Sequence, residues 1–345
     1  MKKEKLLHIE FLRVLAILCV IFNHTVTDGF LLFTTRPAGS FSYWIYLVLS
    51  VGCKFAVPVY FMVSGALLLN RPQEPLKVLW RKRIWRMMVV LAVISLVYFL
   101  IAARHGGAVA FSDFLRQLYS TGAKGHLWFM YSYIGFLIAL PFLRALVQGL
   151  SDKYFYYLLA LVVGFNVLQF VSTAFGWVGI NDGIKPAWLF GNVVLYPCLG
   201  YFLEHRLRVH SMKQLVVIWA INLVAIMLTC ALTRRDGVDQ NYHGMFVVIN
   251  AITIYLSAKM LFLRYWRPKK RMAQFICSLG GCAFGIYLVH LIPMSSRLTR
   301  IVLDGMTGVG VNQMIACWLW CILVFAMCYV VIWLVRKIPL VKKFI

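Results

Sequence analysis

Glu10-Phe11-Leu12-Arg13-Val14-Leu15-Ala16-Ile17-Leu18-Cys19-Val20-Ile21-Phe22-Asn23-His24 is the stretch that decides how the chain is read. It is apolar enough to lie in lipid, yet it carries an acid, a base and a histidine. Eleven residues separate Arg13 from His24. At about 3.6 residues per turn that is close to three whole turns, so both side chains leave one helix face. Glu10 and Asp28 fall near the same face. A rise of about 1.5 Å per residue sets Arg13 and His24 roughly 16 Å apart along the axis, about half the thickness of a hydrocarbon core. One polar stripe therefore runs from the edge of a membrane into its depth.

The rest of the chain points to lipid as its solvent. Of 345 residues, 62% are hydrophobic and 13% charged, and apolar runs near twenty residues recur, more than a soluble domain can bury. Windows of that length predict an all-α polytopic membrane protein of about ten transmembrane helices, at 9–33, 43–69, 86–103, 126–146, 154–175, 187–203, 214–232, 245–263, 274–297 and 311–335. Residues 1–345 read as a single transmembrane domain, with no obvious repeat. The net charge of +24, from 35 basic and 11 acidic residues, would suggest nucleic acid in a soluble protein. Here the basic residues gather at Lys2, Lys3 and Lys5, from Arg71 to Arg86, from Arg264 to Arg271 and at the C-terminal end. That bias is a topology signal: it predicts both termini in the cytoplasm and no nucleic-acid partner. Nine cysteines, mostly inside apolar runs, read as free buried thiols. Cys317 and Cys321 share a helix face without a nearby His or acid, so no metal is expected. The N-terminal lysines imitate a signal peptide, but the long apolar segment holds Arg13 and His24 and lacks a small-residue cleavage site, so it reads as an uncleaved first span.

Further along, Val57-Pro58-Val-Tyr-Phe-Met-Val-Ser64-Gly65 places a proline and a Ser-Gly pair where a helix can bend or open. Lys54, further out in the same span, must face protein or water, or snorkel. The cluster Arg71, Lys77, Arg81, Lys82, Arg83 and Arg86 fits the positive-inside rule and anionic membrane lipids, or a landing site for phosphates. Residues 104–125 form an external loop in which Phe111, Leu115 and Leu118 stand at helical spacing, predicting a short interfacial helix. His126-Leu-Trp128-Phe-Met-Tyr131 reads as an aromatic belt or as one wall of an external opening. In Gly280-Gly281-Cys-Ala-Phe-Gly285-Ile-Tyr287-Leu-Val-His290, Gly281 and Gly285 permit close helix contact, and His290 comes to the depth of His24. The loops at 176–186 and 234–244, with Asp182, Asp236, Asp239 and His243, offer further polar groups.

An ionisable residue inside a span is a functional candidate unless a partner explains it. His24 can take a proton from an attacking hydroxyl, with Glu10 or Asp28 orienting or tuning its neighbours. Asp28 lies one helical turn beyond His24. The plain alternatives are that His24 hydrogen-bonds another helix and that Arg13 snorkels to the interface. A transporter or flippase of a small acid, sugar or lipid would use the same buried charges, although paired broken helices in inverted repeats are not evident.

Taken together, Arg13 and His24 with an acid three residues before the arginine, the Val-Pro stretch through Ser64-Gly65, His126-Leu-Trp-Phe, and Gly285-Ile-Tyr-Leu-Val-His290 resemble the acyltransferase 3 family of membrane enzymes, in order and over the whole chain. The acid usual before the arginine is aspartate; here it is Glu10. The chain resembles the stand-alone form, without an appended hydrolase-like domain. The resemblance implies transfer of an acyl group, commonly acetyl from acetyl-CoA, to a hydroxyl of a cell-surface carbohydrate or lipid-linked sugar, in the bacterial cytoplasmic membrane. It implies that Arg13, Ser64, Gly65, Arg71, Arg81 and Arg83 hold the acyl-CoA co-substrate. His24, Glu10 and Asp28 would form the catalytic group, with His24 a general base or a transient acyl carrier. His126, Trp128, Tyr131, Tyr287 and His290 would line the acceptor side.

Overall fold

The structure is a computed structural model that describes residues 6–106, 110–120, 122–177, 181, 183–184, 187–208, 211–236, 246–342 and 344. Among these residues every regular element is helical. Eight helical stretches there are long and apolar enough to cross a bilayer: Phe41–Leu68, Leu76–Ala103, Gly125–Gly149, Asp152–Ala174, Met212–Arg234, Val247–Tyr265, Lys270–Val289 and Gln313–Val335. This is a multi-pass membrane protein.

Two of the predicted spans are shorter than expected. α1 (Leu7–Asn23) has 17 residues, and the chain beyond it forms 3₁₀ turns at Val26–Asp28 and Leu32–Thr35 instead of more helix. The second is a helix of 11 residues, Leu195–His205. Both are buried among other helices, with Leu195 to Leu203 buried throughout. A helix shielded by protein has no hydrocarbon thickness to match, because its neighbours satisfy and cover its ends.

α2 (Phe41–Gly52) and α3 (Ala56–Leu68) make one span broken by a 3₁₀ turn at Cys53–Phe55. Pro58 explains the break: it has no N–H for the Lys54 carbonyl and its ring clashes there, while it is tolerated in the first turn of a new helix. The turn leaves the Lys54 ammonium 4.4 Å from the centroid of the Phe30 ring, so this cation faces protein. α4 (Leu76–Ala103) is π-helical over Trp80–Ile84. It is followed by α5 (Phe111–Ser120), α6 (Trp128–Gly149), α7 (Asp152–Ala174), α8 (Leu195–His205), α9 (Met212–Asp236), α10 (Val247–Met260), α11 (Lys270–Val289), α12 (Arg297–Gly308) and α13 (Gln313–Val335). α5 is the short amphipathic helix foreseen in the 104–125 loop. It buries Phe114 against Phe99 and leaves Phe111 and Leu115 exposed.

α1 is the hub, packed by α3, α10, α11 and α13. It approaches α11 closely because Gly280, rather than Gly281, lies against Glu10, where a Cβ would collide with the Glu10 carboxylate and backbone. Gly281 instead faces Arg336. On the perimeter, α9 exposes Val216, Val217, Ile221, Leu223, Val224 and Met227, an apolar side suited to lipid. Asp182, Asp239 and His243 lie outside the described residues, as do Lys2, Lys3 and Lys5 and the side chain of Asp236.

Candidate active site

α1, α6 and α11 converge so that three histidine rings meet. The His24 and His290 centroids are 5.0 Å apart, His126 and His290 5.3 Å, and His24 and His126 6.1 Å. The hydrogen bonds fix the tautomers. His24 Nδ1 is 2.7 Å from the Val20 carbonyl oxygen and His290 Nδ1 is 2.8 Å from that of Tyr287. A carbonyl only accepts, so both Nδ1 atoms carry hydrogen and both Nε2 atoms carry the lone pair. His290 Nε2 is a further 3.4 Å from His24 Nδ1, a long second acceptor for the same hydrogen. His24 Nε2 makes no hydrogen bond among the described residues, which leaves it available as a base. His126 is buried with neither ring nitrogen in a good hydrogen bond, apart from a loose approach to the Leu288 backbone. Its carbonyl accepts from the Tyr287 hydroxyl at 2.7 Å.

On the N-terminal side of these rings lies a cavity of about 370 Å³ whose mouth carries Arg13, Lys82, Arg83 and Arg86. Its inner walls are mainly aromatic: Tyr60, Phe129, Tyr133, Phe284 and Tyr287. Glu10 fixes Arg13, accepting from Nη1 at 3.1 and 3.2 Å, and the Tyr60 hydroxyl donates to the Arg13 carbonyl at 3.0 Å. Glu10 therefore positions Arg13; it is on the first turns of α1, about 21 Å along the axis from His24.

The cavity gathers Arg13, Ser64, Lys82, Arg83, Arg86 and Tyr287 from the residues singled out in the sequence. Gly65, Arg71 and Arg81 stand elsewhere. Gly65 faces α8, where a Cβ would overlap the Pro197 carbonyl; Arg71 is exposed and donates to the Leu67 carbonyl at 2.9 Å; Arg81 is exposed. Asp28 is not beside His24. The helix ends at Asn23, which removes the one-turn relation, and Asp28 pairs instead with Arg300 of α12, Arg300 Nη2 donating to Oδ1 at 3.0 Å. Tyr131 donates to the Leu118 carbonyl at 2.6 Å and so ties α5 to α6. Trp128 is 46% exposed. Tyr60, Tyr133 and Phe284 gave no signal in the sequence, because an aromatic residue on a membrane helix is usually packing.

Residues 6–337 match the family model of the acyltransferase 3 family, described as an acyltransferase domain. The chain belongs to this family. No curated protein and no solved structure matches it.

In this acyltransferase the cavity mouth is braced by a loop residue. Glu74 accepts from Arg83 Nε at 2.7 Å and from the buried Arg144 at 3.2 Å, and Arg144 also donates to the Leu68 carbonyl at 3.0 Å. Burial works against ionisation of Glu74, but the two guanidinium groups outweigh it and hold the carboxyl below its ordinary value. A depressed folded-state value gives stability that is present above the unfolded value, about 4.3, and is lost as pH falls through the folded one. Glu74→Gln is therefore expected to cost about 1–3 kcal/mol at neutral pH. In detergent its thermal midpoint should fall below that of the parent at pH 7, and the gap should close as pH falls through the lowered folded-state value. A gap that persists in acid would show that the charge is not what braces Arg83.

Proposed function

We propose that this acyltransferase moves a short acyl group, acetyl in the simplest case, from cytoplasmic acyl-CoA to a hydroxyl of a cell-surface carbohydrate or lipid-linked sugar, in the cytoplasmic membrane of a bacterium with both termini inside. The observation that carries the reading is the arrangement of two unlike sites. A cavity with four cations at its mouth and a cluster of three histidines are joined by one ring, Tyr287, which lines the cavity and adjoins His126 and His290.

Four cations suit a polyanionic donor, and guanidinium forks match phosphate oxygens in pairs. The walls inward of them are apolar and aromatic, fit for a thin pantetheine arm. With the phosphates at Arg13, Lys82, Arg83 and Arg86, the thioester lies toward His24. The acceptor hydroxyl gives its proton to His24 Nε2 as its oxygen bonds to the thioester carbonyl carbon. The carbon–sulfur bond then breaks, and the sulfur takes the proton back from His24, so the products are an ester and free CoA thiol. Trp128 offers an exposed aromatic face on which a sugar can stack, next to His126.

Purified protein in nanodiscs, given acetyl-CoA and envelope glycan, is expected to release free thiol only when both are present. Arg13→Ala should raise the KM for acetyl-CoA by about tenfold or more, the value of one charge-assisted phosphate contact, with a smaller change in kcat. Thiol release that never depends on glycan, or an unaltered KM in Arg13→Ala, would count against the reading.

A further inference from the structure

The cavity and the histidines are separated by a wall one ring thick, and that wall has a consequence for the acyl group. We infer that Phe129 and Tyr287 gauge its size, admitting acetyl to His24 and turning longer chains away. The inference rests on the acyl-CoA reading above and names the donor class within it.

Both rings line the cavity, and both are held from several sides. Phe129 is 8% exposed; Phe61 meets it edge-on at 5.0 Å, Tyr287 edge-on at 5.2 Å, and Tyr133 stacks on it at 6.0 Å between centroids. Tyr287 is anchored by its hydroxyl on the His126 carbonyl. Rings packed this way behave as a wall, because turning either one breaks several contacts at once. Beyond the wall, the Tyr287 ring is 5.6 Å from that of His126 and 6.2 Å from that of His290, which adjoins His24. Tyr287 thus lines the cavity and adjoins the histidines, and Phe129 packs against it from within the cavity wall. Acetyl is the smallest acyl chain that must come past these rings, and each further methylene must displace a packed one. In an apolar pocket one misfitting methylene costs about 10–200-fold.

The test is binding by the full chain in detergent, read as thermal stabilisation by CoA, acetyl-CoA, butyryl-CoA and hexanoyl-CoA, which needs no acceptor. The wild-type chain is expected to bind CoA and acetyl-CoA about equally and hexanoyl-CoA at least about tenfold more weakly. Phe129→Ala should recover at least that factor for hexanoyl-CoA relative to CoA. Phe129→Leu should lie between, and it carries the test alone if the alanine variant does not fold. Tyr287→Phe keeps the ring and should keep the wild-type order. If the wild-type chain binds all chain lengths alike, or if neither Phe129 variant alters the ratio, the gauge is wrong while CoA binding still stands. An equal shift in Tyr287→Phe would assign selection to the hydroxyl and overturn the role of ring size. No binding of CoA itself would remove the donor reading and the gauge with it.

Discussion

His24→Ala is expected to lower acyl transfer by about 10²–10⁴-fold, the usual contribution of a positioned general base, while the protein stays in the membrane at its normal level. The asymmetry follows from where each part of His24 is engaged. Its Nδ1 hydrogen is bound to the Val20 carbonyl, which holds the ring and leaves the Nε2 lone pair facing away from its own helix. Alanine removes that lone pair. It leaves the backbone of the α1 C-terminus intact, where the His24 N–H bonds to the Ile21 carbonyl at 3.0 Å. Asp28→Asn supplies the contrast. Because that carboxylate pairs with Arg300 and not with His24, its loss should change turnover by no more than about threefold, in the range of an exposed ion pair. Thiol release in nanodiscs reads the activity, and an immunoblot of washed membranes reads the protein level. Activity of His24→Ala within about tenfold of the parent would remove the base from this mechanism.

The distance along the axis from Arg13 to His24 was legible in the sequence because one regular helix runs from Arg13 to Asn23 with His24 as its C-cap, where spacing fixes depth; Arg13 lines the cavity, and His24 stands with the other two histidines. The relation of His24 to Asp28 was not, since it crossed the end of that helix: at Asn23 the chain turns into 3₁₀ geometry and the one-turn rule lapses. The joint depth of His24 and His290 followed from counting inward along two spans. Their contact with His126 depends on packing between α1, α6 and α11, which hydropathy does not encode. Among the basic residues, helical spacing held more information than proximity in sequence. Lys82, Arg83 and Arg86 lie at i, i+1 and i+4 and reach one cavity, whereas Arg81 on another side of the same helix does not. Gly65 beside Ser64 looked like part of a binding stretch, yet adjacent helix residues point about 100° apart. Ser64 faces the cavity and Gly65 faces α8.

That second direction leads to the largest stability effect expected of a single change. α3 and α8 share the most intimate contact in the bundle, and each supplies a glycine to it. A Cβ on Gly65 would overlap the Pro197 carbonyl, and a Cβ on Gly200 would overlap the Met62 carbonyl. The two backbones touch, as small residues allow in membrane bundles, where close packing replaces the hydrophobic effect as the cohesive force. The obstructing atoms are backbone, so no rotamer change can yield, and the helices must part. Gly200→Val is expected to cost about 3 kcal/mol or more, a large share of the roughly 5–15 kcal/mol that holds a typical fold. Because α3 also carries Tyr60 and Ser64 into the cavity, the damage should reach donor binding in whatever protein survives. Gly164 on α7 has open space beyond its own helix backbone where a Cβ would stand, so Gly164→Ala should accumulate and unfold like the parent. Detergent-solubilised yield and thermal midpoint distinguish the cases: Gly200→Val scarce or melting far lower, Gly200→Ala intermediate, Gly164→Ala unchanged. A Gly200→Val protein with parental yield and midpoint would mean that α3 and α8 are not in backbone contact, and the wall that Tyr60 and Ser64 give the cavity would have to be redrawn.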